Sequence, residues 1–179
     1  MNYANIKYND IANGPGVRTS LFVSGCRHKC KGCFNQEAWD FEYGEQFSHN
    51  TIDTIIASLQ PSYIAGLTLL GGEPLDPKNQ EAVLHLLESV KSHYPSKSIW
   101  CFTGYTYEKD FLENGPAYTD NVQLLFSYID VLVDGKFVQE QYDITLQFRG
   151  SQNQRLIDLK KTRENQTVVW WEEQSAFIR

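Results

Sequence analysis

Three cysteines lie within eight residues of one another near the start of the chain. Cys26, Cys30 and Cys33 are separated by three and then two residues, and the only other cysteine is Cys101. Thiolates are preferred ligands of soft metal centres and of iron–sulfur clusters. Three clustered thiolates with no fourth nearby therefore predict a metal centre that has one coordination position open to an outside ligand.

Two other kinds of site could use these thiols. A structural zinc ion is one alternative, because three cysteines and His28 form a known zinc ligand set. Such sites usually pair two ligand groups that are distant in sequence, whereas one compact loop holds all three thiols here. A redox-active pair is the other alternative, since Cys30-Lys31-Gly32-Cys33 matches the C-x-x-C pattern. That interpretation leaves Cys26 without a role, so an iron–sulfur cluster is favoured.

Basic residues are interspersed among the cysteines. Arg27, Lys29 and Lys31 would favour the thiolate forms and offset the negative charge of a cluster. Ordinary solvation of an exposed loop explains them equally well, because most lysines and arginines lie at protein surfaces.

The composition limits the class of protein. The chain has 179 residues, of which 41% are hydrophobic, which is enough for the core of one domain over residues 1–179. A net charge of −6 argues against a nucleic-acid partner, and no apolar run is long enough to span a membrane. We therefore expect a cytoplasmic protein, in which clustered thiols bind metal or react rather than form disulfides.

Four segments are predicted to be strands, because each is a short run of apolar or β-branched residues that ends in a turn. They are residues 18–23, 67–70, 98–102 and 131–133. Helices are predicted between them, beginning near Ser48, at Asp76-Pro77 and near Val122, from helical apolar spacing and capping residues. Residues 156–159 and 167–171 are candidates for late strands in a tail, residues 156–179, whose role the sequence does not indicate.

Alternation of strands and helices predicts an α/β fold whose strands are mostly parallel. A complete eight-stranded barrel usually needs more than about 200 residues, so we expect a partial, open β/α barrel. Loops at the carboxyl ends of such strands carry function. The cysteine loop, Gly71-Gly72-Glu73-Pro74, Thr103-Gly104 and Asp134-Gly135-Lys136 should therefore gather on one rim. Glycines there would let the backbone approach a ligand closely.

These motifs together resemble the radical S-adenosylmethionine (radical SAM) superfamily, of which Cys26-x3-Cys30-x2-Cys33 is the signature spacing. The segments 13–18 and 21–25 are similar to those of the glycyl-radical activating enzymes within it. The segments 32–35, 131–138 and 149–155 resemble the branch that acts on an anaerobic ribonucleoside-triphosphate reductase.

The resemblance implies a radical-SAM-like fold and a 4Fe–4S cluster on Cys26, Cys30 and Cys33, with SAM chelating the fourth iron. Reductive cleavage of SAM would give a 5′-deoxyadenosyl radical that removes hydrogen from a glycine of the partner. The chemistry then belongs to the cofactors, so no residue is assigned as a general acid or base. The resemblance places the following residues at SAM: Gly32, Cys33, Phe34, Gly71, Gly72, Glu73, Pro74, Thr103, Gly104 and Asp134.

The resemblance also implies the partners. They are the large, glycine-bearing subunit of the reductase and a reduced flavodoxin-like electron donor, with neither nucleic acid nor membrane involved. Two alternatives are an activase of another glycyl-radical enzyme, of the pyruvate formate-lyase type, and a non-catalytic zinc-binding interaction module. Cys101, within a predicted strand, is expected to be a small buried hydrophobic residue.

Overall fold

A computed structural model describes residues 1–172, and in this part of the chain seven strands form one sheet. The strands are β1 (Asn2–Asp10), β2 (Val17–Val23), β3 (Glu45–Gln46), β4 (Ile64–Gly71), β5 (Ser98–Phe102), β6 (Val131–Asp134) and β7 (Arg155–Asp158). The α-helices are α1 (His49–Leu59), α2 (Pro77–His93), α3 (Tyr107–Asp110), α4 (Val122–Tyr128) and α5 (Leu159–Asn165).

The strand order is β3-β1-β2-β4-β5-β6-β7, and the four inner strands β2, β4, β5 and β6 are parallel to one another. The remaining pairs, β1 with β2, β1 with β3 and β6 with β7, are antiparallel. The expectation of parallel strands holds for the four predicted strands, whereas antiparallel strands extend both edges of this parallel centre. The sheet is an open, mixed α/β sheet.

The elements next to the rim follow from local sequence. Strand β4 is buried along most of its length, as expected for a parallel strand whose faces are both covered. Helix α1 begins at Ser48 with a capping box to Thr51. Helix α2 begins after Asp76, whose carboxylate accepts from the Lys78 N–H at 3.0 Å, and Pro77 is its first residue.

The edges of the sheet were harder to predict. Strand β1 was missed because its residues are largely polar and partly exposed. The late strand expected at 156–159 is observed as β7, but helix α5 begins at Leu159. The other candidate, 167–171, forms only an isolated bridge between Trp170 and Ile157. Residues 173–179 of the tail lie outside the described part of the chain, and within residues 1–172 no helix is long and apolar enough to cross a membrane.

Each face of the sheet carries a hydrophobic cluster. The larger cluster packs α1, α2 and α4 against residues such as Leu69, Ile99 and Cys101. Cys101 is fully buried there, which confirms the prediction for it. The smaller cluster, on the opposite face, is centred on Trp100 and Val133. Side chains alternate along a strand, so β5 contributes to both, and the candidate site lies on the face of Trp100.

Candidate metal centre and cofactor site

A cavity of about 450 Å³ lies at the carboxyl ends of the parallel strands. Residues from all four expected rim motifs line it. These are Cys26, Cys30, Cys33, Gly71, Gly72, Glu73, Thr103, Gly104 and Gly135. The prediction that the turns after β2, β4, β5 and β6 meet on one rim is thereby confirmed.

The start of the cysteine loop is held by the segment that follows the loop. The Gly25 N–H donates to the Ala38 carbonyl at 2.9 Å, and the Cys26 N–H donates to the Trp39 carbonyl at 3.1 Å. Gly25 has φ +92°, and a Cβ there would lie 2.1 Å from the Phe41 ring. Only glycine fits this position, so the loop leaves β2 along one fixed path.

Burial acts on the ionisation of two of the thiols, Cys26 and Cys30. It raises the pKa of Cys26 to about 11, against the opposing effect of hydrogen bonds from the His28 and Lys29 amides. Burial also raises the pKa of Cys30, while the Phe137 amide lowers it. Coordination to a metal deprotonates a thiol outright and would override both shifts. The loop therefore supplies amide donors directed at sulfur, which is how proteins stabilise cluster-bound thiolates.

Two basic residues of the cysteine loop form ion pairs with carboxylates outside the loop. Arg27 Nε lies 2.8 Å from Asp76 Oδ2, and Lys31 Nζ lies 3.2 Å from Glu140 Oε1. The lysine whose charge lowers the pKa of Cys30 is Lys136, from the turn after β6. Arg27 and Lys31 each pair with an acid outside the loop, and the expectation that they favour the thiolates stays a prediction.

The glycines of the turn after β4 are required by the cysteine loop. Gly71 has φ +108°, and a Cβ there would lie 2.8 Å from the Cα of Phe22. A Cβ on Gly72 would lie 2.7 Å from the Gly25 carbonyl oxygen, and the Gly72 N–H donates to the Val23 carbonyl at 2.7 Å. We predicted that these glycines allow close approach to a ligand. The close approach that the structure shows is to the backbone of β2 and of the cysteine loop.

Glu73 connects three turns of the rim. Its side chain is 1% exposed and accepts four hydrogen bonds, from His28 Nε2 at 2.9 Å, the Gly104 amide at 2.7 Å, the Thr103 hydroxyl at 2.8 Å and the Leu75 amide at 2.9 Å. A carboxylate has about four acceptor positions. All four are used within the protein, so Glu73 fixes the rim rather than offering a free oxygen to a ligand.

The residues beside Cys33 differ in their surroundings. Gly32 has φ +74°, and a Cβ there would lie 2.9 Å from the Gln139 side chain, so glycine is required. Phe34 lines the cavity and is 83% exposed. A side chain this exposed does not belong to the hydrophobic core.

Two residues assigned to SAM by resemblance lie apart from the cavity lining. Asp134 is buried, and its carboxylate accepts from Arg155 Nε and from the Tyr107 amide, each at 2.9 Å. Its neighbour Gly135 lines the cavity instead. Pro74 is also absent from the lining within the described residues; it follows Glu73 in the turn that leads to α2. Contact of either residue with SAM stays a prediction.

Sequence reasoning missed two side chains of the site. His28 was considered as a zinc ligand, but its Nε2 faces Glu73 and its ring lies 4.4 Å from the Tyr105 ring. Trp39 lines the cavity, and its indole Nε1 is buried without a hydrogen-bond partner among residues 1–172. The sequence gives no signal for either environment, because Glu73 lies 45 residues from His28 and no pattern marks the surroundings of Trp39.

The donor set fits a three-thiolate cluster. The three thiols are partly exposed to one cavity, the Asn35 amide lies 3.4 Å from Cys33 Sγ, and the Trp39 Nε1–H is a free donor. Cluster sulfurs accept hydrogen bonds of this kind. Within residues 1–172, no group of three His, Cys, Asp or Glu side chains is arranged around a single ion.

The fold and the site together define a single-cluster iron–sulfur protein. The family model described as a 4Fe-4S single cluster domain matches residues 12–157. The chain thus carries that domain over most of its length.

Curated relatives identify the family more narrowly. The chain is 48% identical over 156 residues to the anaerobic ribonucleoside-triphosphate reductase-activating protein of Vibrio cholerae, with 86% of this chain and 96% of the relative aligned. It is 43% identical over 157 residues to the protein of the same name from bacteriophage T4, covering 87% and 93%. The Escherichia coli K12 protein of that name is 43% identical over 156 residues, covering 86% and 96%. The chain belongs to the family of anaerobic ribonucleoside-triphosphate reductase-activating proteins.

Proposed function

We propose that the chain is a radical SAM enzyme that installs a glycyl radical on an anaerobic ribonucleoside-triphosphate reductase. The observation that carries the proposal is the convergence of three thiols with the turns after β4 and β5 on one cavity. The names of the relatives support the identity of the partner. When bound, the cluster and SAM supply one-electron cleavage of the sulfonium and a 5′-deoxyadenosyl radical that takes hydrogen from the partner's glycine.

The chain's own residues bind and orient these groups. Cys26, Cys30 and Cys33 would hold the cluster. Because the Glu73 carboxylate is fully used by protein donors, backbone carbonyls of the turn at Gly71 are the better acceptors for the SAM ammonium. Glu73 contributes by keeping this turn, the cysteine loop and the turn after β5 at fixed separations.

The cavity walls protect a reactive species. Below the rim the lining becomes apolar, with Leu70, Phe102 and Phe148 among its residues. Excluding water from such a site suppresses side reactions.

Two further inferences concern the electron donor and the fold of the domain. We infer that a reduced flavodoxin-like protein donates the electron, and the exposed Lys29 and Lys31 beside the cluster ligands would attract an acidic donor. We also infer that residues 1–179 form one radical-SAM domain whose sheet is a partial β/α barrel. Four adjacent parallel strands with the site at their carboxyl ends support this inference.

The test is anaerobic purification with iron and sulfide analysis, followed by electron paramagnetic resonance (EPR) of the reduced protein mixed with SAM and the reductase. We expect four irons per chain and a glycyl-radical signal on the reductase. Stoichiometric zinc without iron would contradict the proposal. SAM cleavage without the radical signal on the reductase would instead indicate an activase of another glycyl-radical enzyme.

A further inference from the structure

Arg149 brings a positive charge to the cavity that the three thiols line. Among Asp, Glu, Lys, Arg and His side chains, the described lining holds only two others, Glu73 and His28, and these are hydrogen-bonded to each other at 2.9 Å. Arg149 is half-buried and forms no ion pair with an acid of residues 1–172. It is therefore the one charged side chain of the described lining whose charge has no partner in that part of the chain.

The segment that carries Arg149 is fixed to the turn after β6 by Gln154. The Gln154 Oε1 accepts from the amides of Gly150 and Ser151 at 2.8 and 3.1 Å, and its Nε2 donates to the Gly135 carbonyl at 3.0 Å. The Arg149 Nη1 donates to the Gln154 carbonyl at 2.9 Å, which is its side chain's only hydrogen bond within residues 1–172. The guanidinium is thereby held in place by one of its five N–H donors.

The same segment adjoins the cysteine loop through Phe137. A Cβ on Gly150 would lie 3.1 Å from the Phe137 ring, and the Phe137 amide is directed at the Cys30 sulfur, whose pKa it lowers. Phe137 is thus next to the segment of Arg149 on one side and next to a predicted cluster ligand on the other. Arg149 and the thiols therefore belong to adjoining parts of one cavity lining.

A cation in this cavity selects among the charged groups of SAM. The molecule carries a sulfonium and an ammonium, which Arg149 repels, and one carboxylate, which Arg149 attracts. Both effects are strong in a cavity that excludes water. Because Nη1 is already engaged, the free edge of the guanidinium is the one formed by Nε and Nη2, and two parallel donors of this kind match a carboxylate.

We propose that Arg149 binds the carboxylate of SAM, an inference that rests on the proposed function. Arg149 is not among the residues that the resemblance places at SAM. The carbonyls of the turn at Gly71 are the proposed acceptors for the ammonium, so the two ends of the amino-acid group meet partners of opposite charge. Arg149 then determines which way round that group binds, and it disfavours ligands that lack the carboxylate.

The experiment measures binding rather than turnover. The full chain carries its oxidised cluster, and Kd values are measured by anaerobic equilibrium dialysis with two radiolabelled probes. One probe is SAM and the other is decarboxylated SAM, which keeps the sulfonium and the ammonium. The variants are Arg149→Gln, Arg149→Lys and the matched control Arg163→Gln. Arg163 is an exposed arginine that also donates to a backbone carbonyl, that of Phe126, and it is absent from the described cavity lining.

We expect Arg149→Gln to raise the Kd for SAM about tenfold or more, as for the loss of hydrogen bonds between charged groups, and to leave the Kd for decarboxylated SAM within about twofold. Arg149→Lys keeps the charge without the planar fork, so its Kd for SAM should rise by only about threefold. Arg163→Gln should match the wild type with both probes. An unchanged Kd for SAM in Arg149→Gln would overturn the proposal. An equal rise for both probes would also overturn it, because Arg149 would then act on the shape or total charge of the cavity.

Iron content and the denaturation midpoint of the cluster-free chain show whether each variant retains a folded site. If Arg149→Gln does not fold, the ratio of the two Kd values in Arg149→Lys decides the question in the same way. The failure of the proposed function has a different signature. A wild-type chain that binds SAM but produces no glycyl radical on the reductase by EPR would contradict the proposed activity, while the Kd values still test the role of Arg149.

Discussion

At each end of the parallel strands one buried charged side chain holds several elements together, but the two charges have different kinds of partners. At the amino end, Arg18 uses all five of its N–H donors within the protein. At the carboxyl end, Glu73 uses all four of its acceptor positions. Both groups are therefore satisfied, and the difference lies in what they connect.

Arg18 connects elements that the sheet already brings together. Its guanidinium donates to the Leu67 and Ser98 carbonyls at 2.9 Å each and to the Thr68 hydroxyl at 2.7 Å. Burial lowers its pKa to about 10. A Cβ on Gly14 would lie 2.9 Å from its Cδ, so the loop before β2 closes tightly over it. This end of the strands is sealed and serves stability.

Glu73 connects turns whose separation the sheet does not determine. Its donors come from the cysteine loop through His28 and from the turn after β5 through Thr103 and Gly104. This end also has groups that could bind a cofactor, namely the partly exposed thiols and the Trp39 Nε1–H, which has no partner among residues 1–172. The amino end of the strands is closed by protein contacts, whereas the carboxyl end has thiols and a donor available for a ligand. This difference suits a fold that binds a cofactor at one rim only.

The largest effect is expected from the thiols. Cys30→Ala should abolish cluster binding and SAM cleavage, because two thiolates hold a cubane poorly and Cys101 is buried within β5. Iron content and methionine release measure the two losses. Cys101→Ala is the matched control, with full iron content and activity. An active Cys30→Ala variant would show that the ligand set is wrong.

The next largest effect is expected from removing the hydrogen bonds of Arg18 at the amino end of the strands. Arg18→Met leaves several buried carbonyl and hydroxyl oxygens without donors, so we expect the free energy of unfolding to fall by about 3–5 kcal/mol. Denaturant titration measures it, with the exposed Lys160→Met as control. The remaining folded protein should still cleave SAM. A loss below about 1 kcal/mol would mean that water or rearrangement replaces these bonds.

Glu73→Gln tests the other end with a smaller change. An amide cannot accept four hydrogen bonds and would direct its own N–H groups at two of the donors. We expect a loss of about 1–3 kcal/mol in unfolding free energy together with a higher KM for SAM, because the rim turns shift. Glu81→Gln, on the exposed side of α2, is the control. Loss of stability with an unchanged KM would confine Glu73 to folding.

Sequence patterns predicted the centre of this molecule better than its edges. Strand β5 was predicted to the residue, and helix α4 begins where a helix was expected, near Val122, because apolar runs and turn residues mark these segments. The gathering of the rim turns followed from parallel topology alone. The hydrogen bond between His28 and Glu73 could not be predicted, since 45 residues separate its partners and no periodicity connects them. Strand β1 was missed because a polar edge strand is specified by its neighbour.

The smallest effect on folding, and the sharpest contrast between the two ends, is expected from Trp39→Phe. The indole Nε1–H is buried without a partner among residues 1–172, so removing it should leave the unfolding free energy of the cofactor-free chain within about 0.5 kcal/mol. If this donor serves a cluster sulfur, its loss should lower the reduction potential by about 40 mV, which is one hydrogen bond of about 1 kcal/mol expressed for one electron. EPR-monitored redox titration measures the shift, and Trp170→Phe, 54% exposed, is the control. A destabilised variant with an unchanged reduction potential would make Trp39 a packing residue. Of the thiols and this indole, only the thiols would then be available to bind a cluster at the carboxyl end.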